Sequence, residues 1–331
     1  MAILVGIDEA GYGPHLGPLV VAAAAVRLPG SGIPDANLWG ALRGHVRKRP
    51  RGRSRRVVIC DSKAAYTACG PAPLERATLA FLAACGSQSP SSLSALLEAT
   101  RVPSPSDGGP GGGPSRPWER PAALALPLHQ DAGAVASAAA FLGRGLERLG
   151  GECERLWINA APADRFNRLV RTTGNKAGTL FALTAELLAA VRLRWPGETV
   201  HVTLDRHGGR RYYADLLAQA FPMEEVVPLD ESPGESLYSL LRPGGRQGRA
   251  EMRLTIRNRC EEVSLPTALA SMAAKYVREL HMHQLNAYFR TRVPGLRPTA
   301  GYGRDAWRFL AEIDGARRVE GVPEASILRC R

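Results

Sequence analysis

No two cysteines in this 331-residue chain are spaced C-x-x-C, and none of the six (Cys60, Cys69, Cys85, Cys153, Cys260, Cys330) stands in a zinc-type Cys/His pattern. That excludes a structural zinc of the usual kind and a disulfide framework. Scattered thiols in a chain this long suit a reducing compartment. Long apolar runs are missing too. The longest, Leu19 to Val26, falls far short of the roughly 20 residues that a transmembrane helix needs, and no basic leader precedes the first apolar run. The expectation is a soluble cytoplasmic protein with no membrane partner. No internal repeat is present. Acid is scarce relative to base: 43 Lys and Arg face 31 Asp and Glu, a formal charge of +12. Such a balance favours a polyanionic partner, because neutralising phosphates releases condensed counterions.

What is present gathers first at the N-terminal end. The stretch Leu4-Val-Gly-Ile-Asp-Glu-Ala-Gly-Tyr-Gly-Pro14 carries an apolar strand into two adjacent carboxylates and a glycine-spaced turn, and a second apolar run ends at Val26. Continuous apolar runs read as strands buried on both faces, and Gly11 and Gly13 let the backbone turn sharply or approach a ligand closely. Asp8 and Glu9 therefore fall where core meets solvent, a position suited to a metal site or to acid–base chemistry. The ordinary reading of the same pair is a strand ending in two solvated acids.

Further along, Arg43 to Arg56 packs eight basic residues without an acid, either as a phosphate-gripping loop or as a solvated insertion. Val57 to Cys60 reads as a third short strand delivering Asp61-Ser62-Lys63. Asp61 or Ser62 can cap a following helix there, and Lys63 can reach a phosphate. Helical spacing predicts helices over about Pro73–Cys85, Asp131–Leu149, Lys176–Arg194 and Pro266–Phe289, with a strand near Arg155–Asn159. Residues 86–121 are so rich in Ser, Pro and Gly that they read as a flexible insertion. Thr199 to Leu204 is a β-branched strand ending on Asp205, for which a turn or cap role is the ordinary reading. Residues 222–263 form a segment broken by proline and glycine, then a basic-faced strand within Arg249–Arg259. On the last predicted helix Ser271, Lys275 and Glu279 recur every four residues along one stripe, with Arg278 beside it.

Four of these pieces and a fifth near the end, in this order, resemble the type 2 ribonuclease H family, ribonuclease HII and its relatives. Gly6-Ile-Asp-Glu-Ala-Gly-Tyr-Gly-Pro14 is similar to its opening motif, Asp61-Ser62-Lys63 to its D-S-K, and Asp205 to its third acid after a hydrophobic strand. Ser271-Met-Ala-Ala-Lys-Tyr-Val-Arg-Glu279 resembles its S-x-x-A-K-x-x-R-D helix, and Gly301-Tyr302-Gly303 its late G-Y-G. The resemblance implies an α/β, ribonuclease H-like fold, a central mixed sheet flanked by helices. It implies a single domain over residues 1–331, with flexible or inserted segments at about 31–56, 86–130 and 222–263. It further implies a monomeric, metal-dependent endonuclease acting on RNA–DNA hybrids or on duplex DNA containing ribonucleotides. Asp8, Glu9, Asp205 and Glu279 would bind Mg²⁺ or Mn²⁺, hard cations that take carboxylate oxygens and neutralise charge in phosphodiester hydrolysis. Lys63, Lys275 and Arg278 would face substrate phosphates or the acids. Gly11, Tyr12, Gly13 and Tyr302 would read the ribose.

Two residues depart from the family pattern. Tyr12 stands where the turn usually carries a basic residue, which removes a cationic phosphate contact, and Glu279 is one methylene longer than the usual aspartate. A related nucleic-acid-binding protein with weak or lost catalysis is therefore the alternative. An actin-like phosphotransferase also opens with a strand followed by Asp and Gly, but neither a second phosphate loop nor G-x-x-x-x-G-K-[ST] is present.

Overall fold

The computed structural model describes residues 2–30, 37–50, 54–103, 116–119, 124–242 and 251–330. In chain order its elements are β1 (Ala2–Ala10), β2 (Leu19–Leu28), α1 (Leu38–Ala41), β3 (Val46–Arg47), β4 (Val57–Val58), α2 (Ser62–Cys69), α3 (Ala72–Ala84), α4 (Leu93–Ala99), α5 (Ala132–Glu147), β5 (Glu152–Ala161), α6 (Ala163–Thr173), α7 (Lys176–Arg194), β6 (Val200–Asp205), α8 (Ala214–Ala220), β7 (Glu225–Glu231), β8 (Glu235–Leu241), β9 (Met252–Arg257), α9 (Leu265–Arg290) and α10 (Gly303–Val319). Seven strands form one sheet in the order β5-β2-β1-β6-β9-β8-β7. The pairs β1–β6 and β6–β9 are parallel and the others antiparallel. This is the α/β architecture expected, a mixed central sheet flanked by helices.

The apolar runs of β1 and β2 are buried on both faces because helices cover both. Ile3, Val5 and Ile7 pack with α7, while Leu4 and Ala10 share a core with α9. The helix α9 lies so close to β1 that a side chain at Gly6 has no room. A Cβ there would stand 1.9 Å from the Thr267 backbone nitrogen and 2.2 Å from the Pro266 carbonyl carbon. At the far end of the chain, a strap lies across the turn that follows β1. Leu328 bridges to Leu16, the Arg329 amide donates to the His15 carbonyl (2.9 Å), and the Arg329 side chain donates to the Pro14 carbonyl. Asn167 of α6 anchors the strap through the carbonyls of Ala325 (3.2 Å) and Leu328 (2.9 Å) and the amide of Cys330 (2.7 Å).

Several segments differ from expectation. The third strand is only Val57–Val58, paired with β3 in a separate two-stranded sheet. Within 86–130, read as flexible, Leu93–Ala99 is helical, capped by Ser92 and anchored by buried Leu93 and Leu96. Trp118 in the same stretch packs on Tyr288 and Phe289. Most of the glycine- and proline-rich run from Pro103 to Pro117 lies outside the described residues, as does part of the basic stretch Arg43 to Arg56. Residues 222–263 supply β7 and β8 as well as β9, extending the sheet to its edge, where Pro228 is tolerated at a register irregularity. Among the described residues no helix is long and apolar enough to cross a membrane.

Candidate active site

Parallel pairing brings the first acids together. Ile7 lies opposite Leu204, so the next residues, Asp8 and Asp205, end side by side on the sheet face covered by α9. Asp8 is buried, and its Oδ1 accepts the Glu9 amide at 2.7 Å. Ser271, one turn into the face of α9 that crosses β1, lies against both Asp8 and the Ser62 hydroxyl, 3.0 Å away. Burial pushes the Asp8 carboxyl well above its ordinary range, and the charges of Glu9 and Asp205 push it further. Burial and Asp205 together raise Glu9 to about 7. Asp205 is also raised by burial, against the pull of backbone N–H groups of Cys260, Arg259 and Arg206. Lys63 is the cation that acts on both Glu9 and Asp205. Its neighbour Asp61 has the cap role, its Oδ1 accepting the Ala64 amide at 2.6 Å to start α2.

Glu279 lies two helical turns beyond Ser271, about 12 Å along the axis at 1.5 Å per residue. Its carboxylate is taken up locally. Lys275 Nζ donates at 2.6 Å, Arg278 Nη1 at 3.2 Å, and the Tyr66 hydroxyl at 3.2 Å. Arg278 is fully buried and organises the glycine turn. Its Nη2 donates to the Ala300 carbonyl at 2.8 Å, and a Cβ on Gly11, itself at φ 89°, would meet its Cδ and Nε at 2.8 Å. The Tyr302 ring lies 5.3 Å from its guanidinium carbon and is 48% exposed. Gly13 faces the same ring, whereas Tyr12 packs against the core cluster beneath β1 and β6.

The structure thus makes two neighbouring groups along α9. One joins Asp8, Glu9, Asp205 and Lys63; the other joins Gly11, Gly13, Arg278, Glu279 and Tyr302, with Lys275 bonded to the second. Tyr66 escaped notice in the sequence, although it stands three residues after Lys63 on the same short helix, a spacing that puts both on one face. Ser271 lay inside a quoted motif without an assigned contact, and Ser62, read as an alternative helix cap, instead accepts from Ser271 while Asp61 takes the cap.

The donor set of the first group suits a divalent cation. Among the described residues Asp8, Glu9 and Asp205 form no ion pair, so three crowded carboxylates meet little compensating charge, and hard oxygen donors favour Mg²⁺ or Mn²⁺. As the side chains lie, no three His, Cys, Asp or Glu residues among those described stand together in metal-ligating geometry.

No family model and no curated protein matches the chain. Solved structures similar to it include a ribonuclease HII from Archaeoglobus fulgidus, determined with PCNA. It is 15% identical, with 99% of this chain and 94% of that chain covered and a TM-score of 0.40. The ribonuclease H2 from Pyrococcus horikoshii OT3 is 14% identical, covers 99% and 92%, and gives a TM-score of 0.44. Bst-RNase HIII, in complex with Mn²⁺, is 15% identical, covers 99% and 66%, and gives a TM-score of 0.39.

Proposed function

We propose that the protein is a metal-dependent endonuclease that hydrolyses the RNA strand of RNA–DNA hybrids, or ribonucleotide-containing duplex DNA, with Mg²⁺ or Mn²⁺. The observation that carries this reading is the placing of Asp8 and Asp205 side by side, one residue beyond the parallel pair Ile7–Leu204 and beside Glu9, since the sequence motifs single out the same three residues. Divalent cations, when bound, would neutralise charge on the attacking water and the leaving oxygen. Asp8, Glu9 and Asp205 would hold them, with Glu279 as a fourth acid in competition with its hold on Lys275. Ser271 orients Asp8 and is itself held by Ser62, and Lys63 offsets the acids while facing substrate phosphate. Arg278 braces the turn so that Gly11 and Gly13 present backbone, and Tyr302 an exposed ring, toward the ribose. The packed ring of Tyr12 supplies no cationic contact.

The test is cleavage of a labelled hybrid with Mg²⁺ or Mn²⁺ by wild type and by Asp8→Asn. The variant is expected to lose at least about 100-fold, more than removal of a merely supporting residue costs. Equal cleavage by the variant, or none by wild type, defeats the nuclease reading. One observation favours the second reading, a hybrid-binding protein with weak catalysis: Glu279 is clamped by Lys275, Arg278 and Tyr66. On that reading wild type binds hybrid yet cleaves it no faster than Asp8→Asn.

A further inference from the structure

Directly after Asp205 the chain reads Arg206-His-Gly-Gly-Arg-Arg-Tyr-Tyr213, a loop for which the site above has no use. Its backbone is held from below. His207 and Tyr213 are buried, the His207 amide donates to the Tyr213 hydroxyl (2.9 Å), and the Tyr213 amide donates to the Tyr238 hydroxyl (2.9 Å). Ser236, fully buried on β8, donates to the Arg211 carbonyl at 2.8 Å. Pinned at both ends, the loop presents Gly208, Gly209 and Tyr212 outward, with Tyr212 61% exposed.

The cations on this loop are underused. Arg206 donates through Nη1 to the Pro233 carbonyl (2.8 Å), but its Nε and Nη2, and the Nε of Arg210, are buried without a hydrogen-bond partner. Arg211 donates to the Glu231 carbonyl through Nε (2.7 Å) and lies 5.4 Å from the Tyr212 ring. None of the three forms an ion pair among the described residues. By contrast, Arg257 and Arg259 nearby are matched by Glu235 and Glu262. A rigid loop bearing cations beside an exposed aromatic ring is the chemistry that grips a nucleic-acid backbone and stacks on a sugar or base.

We propose that Arg206–Tyr212 is a docking platform for the nucleic-acid backbone flanking the reacting position. This rests on the nuclease reading only for the location of that position. The loop lies on the side of Asp205 away from β1, over the ends of β9, β8 and β7. The loop leaves Asp205 at Arg206, and its far end at Arg211, held by Ser236 of β8 and the Glu231 carbonyl at the end of β7, lies two to three interstrand spacings of about 4.8 Å from β6, about 10–14 Å or roughly three to four base pairs along a duplex. Arg210 and Arg211 meet phosphates, and Tyr212 lies against the exposed strand.

The test is fluorescence anisotropy with a short RNA–DNA hybrid across a potassium chloride series, in an Asp8→Asn background so that binding is read without cleavage. Replacing Arg210 and Arg211 by Gln is expected to weaken binding about tenfold and to lower the slope of log affinity against log salt by about two. Arg210→Gln alone, which removes an Nε without a partner and so spares the fold, lowers it by about one. Tyr212→Ala weakens binding several-fold, and Tyr212→Phe restores it. Unchanged affinity and slope in the arginine variants overturn the proposal. Loss of binding in these variants from a protein that cleaves nothing would leave the platform standing and the nuclease reading fallen; cleavage with unchanged slopes would do the reverse.

Discussion

Asp8 is the residue whose placement is hardest to explain by folding alone: a carboxyl group buried against a second carboxyl on its own strand and a third on the neighbouring one. Glu9 shows the consequence for stability. Folded, it keeps its proton up to about pH 7, above the 4.5 of an ordinary glutamate. The folded state therefore binds this proton more tightly than the unfolded state. That contribution to stability is complete below about pH 4.5 and is lost as pH rises through 7. In chelator, the melting temperature is expected to fall between pH 5 and pH 8, and Glu9→Gln to recover about 2–4 °C of it at pH 8. Added Mg²⁺ should recover a similar amount in wild type only. Calorimetry over that range checks this, and a wild-type Tm indifferent to pH and Mg²⁺ would contradict it. The positions of Asp8, Glu9 and Asp205 at the ends of apolar runs were legible in the sequence, but that pattern alone read as solvated acids and a turn, and only the resemblance of five motifs to one family assigned them to a site. The capture of Glu279 was not, because a Lys–Glu pair four residues apart on a helix looks the same whether it is an exposed pair or part of a site.

Among the elements, β1 and α9 carry the arrangement, and their contact depends on one missing side chain. Gly6→Ala would drive a methyl group into the backbone of residues 266 and 267. A clash with backbone rather than with a movable side chain is expected to cost more than about 3 kcal/mol, beyond the usual range for overpacking, as read by urea denaturation. An unchanged midpoint would mean that α9 sits farther from the sheet. The elements β1, β2, β6, α7 and α9 could be found from sequence because their apolar residues follow strand or helix spacing. The strands β7 and β8 could not: β7 is an edge strand, largely open to solvent and interrupted by Pro228, so its pattern lacks a buried face. The helix α4 was hidden for another reason. Its leucines sit in a stretch whose composition is otherwise that of a loop.

At the scale of the whole molecule, the excess of base over acid becomes a question of where unmatched cations lie. Many of the arginines described are matched by acids, as Arg27 is by Glu198 and Arg308 by Asp305 and Glu312. A polyanion is therefore expected to sense a few sites, not the formal +12, and salt dependence measures how many. The strap at residues 325–330 gives a separate prediction. Deleting residues 328–331 removes the Leu16 bridge and both Arg329 bonds while leaving the seven-stranded sheet intact. Far-UV circular dichroism is expected to stay near that of wild type while hybrid cleavage falls about tenfold or more, as for loss of a supporting contact. Full cleavage by the shortened chain would show that the turn holds itself.

That strap also has a consequence for the order of synthesis. Asp8, Glu9 and the turn beside them leave the ribosome more than three hundred residues ahead of the backbone that clasps the turn. A nascent chain stopped short of residue 329 holds all three acids but not the contact that fixes the loop next to them. The turn beside the acids is thereby held by backbone made more than three hundred residues after it.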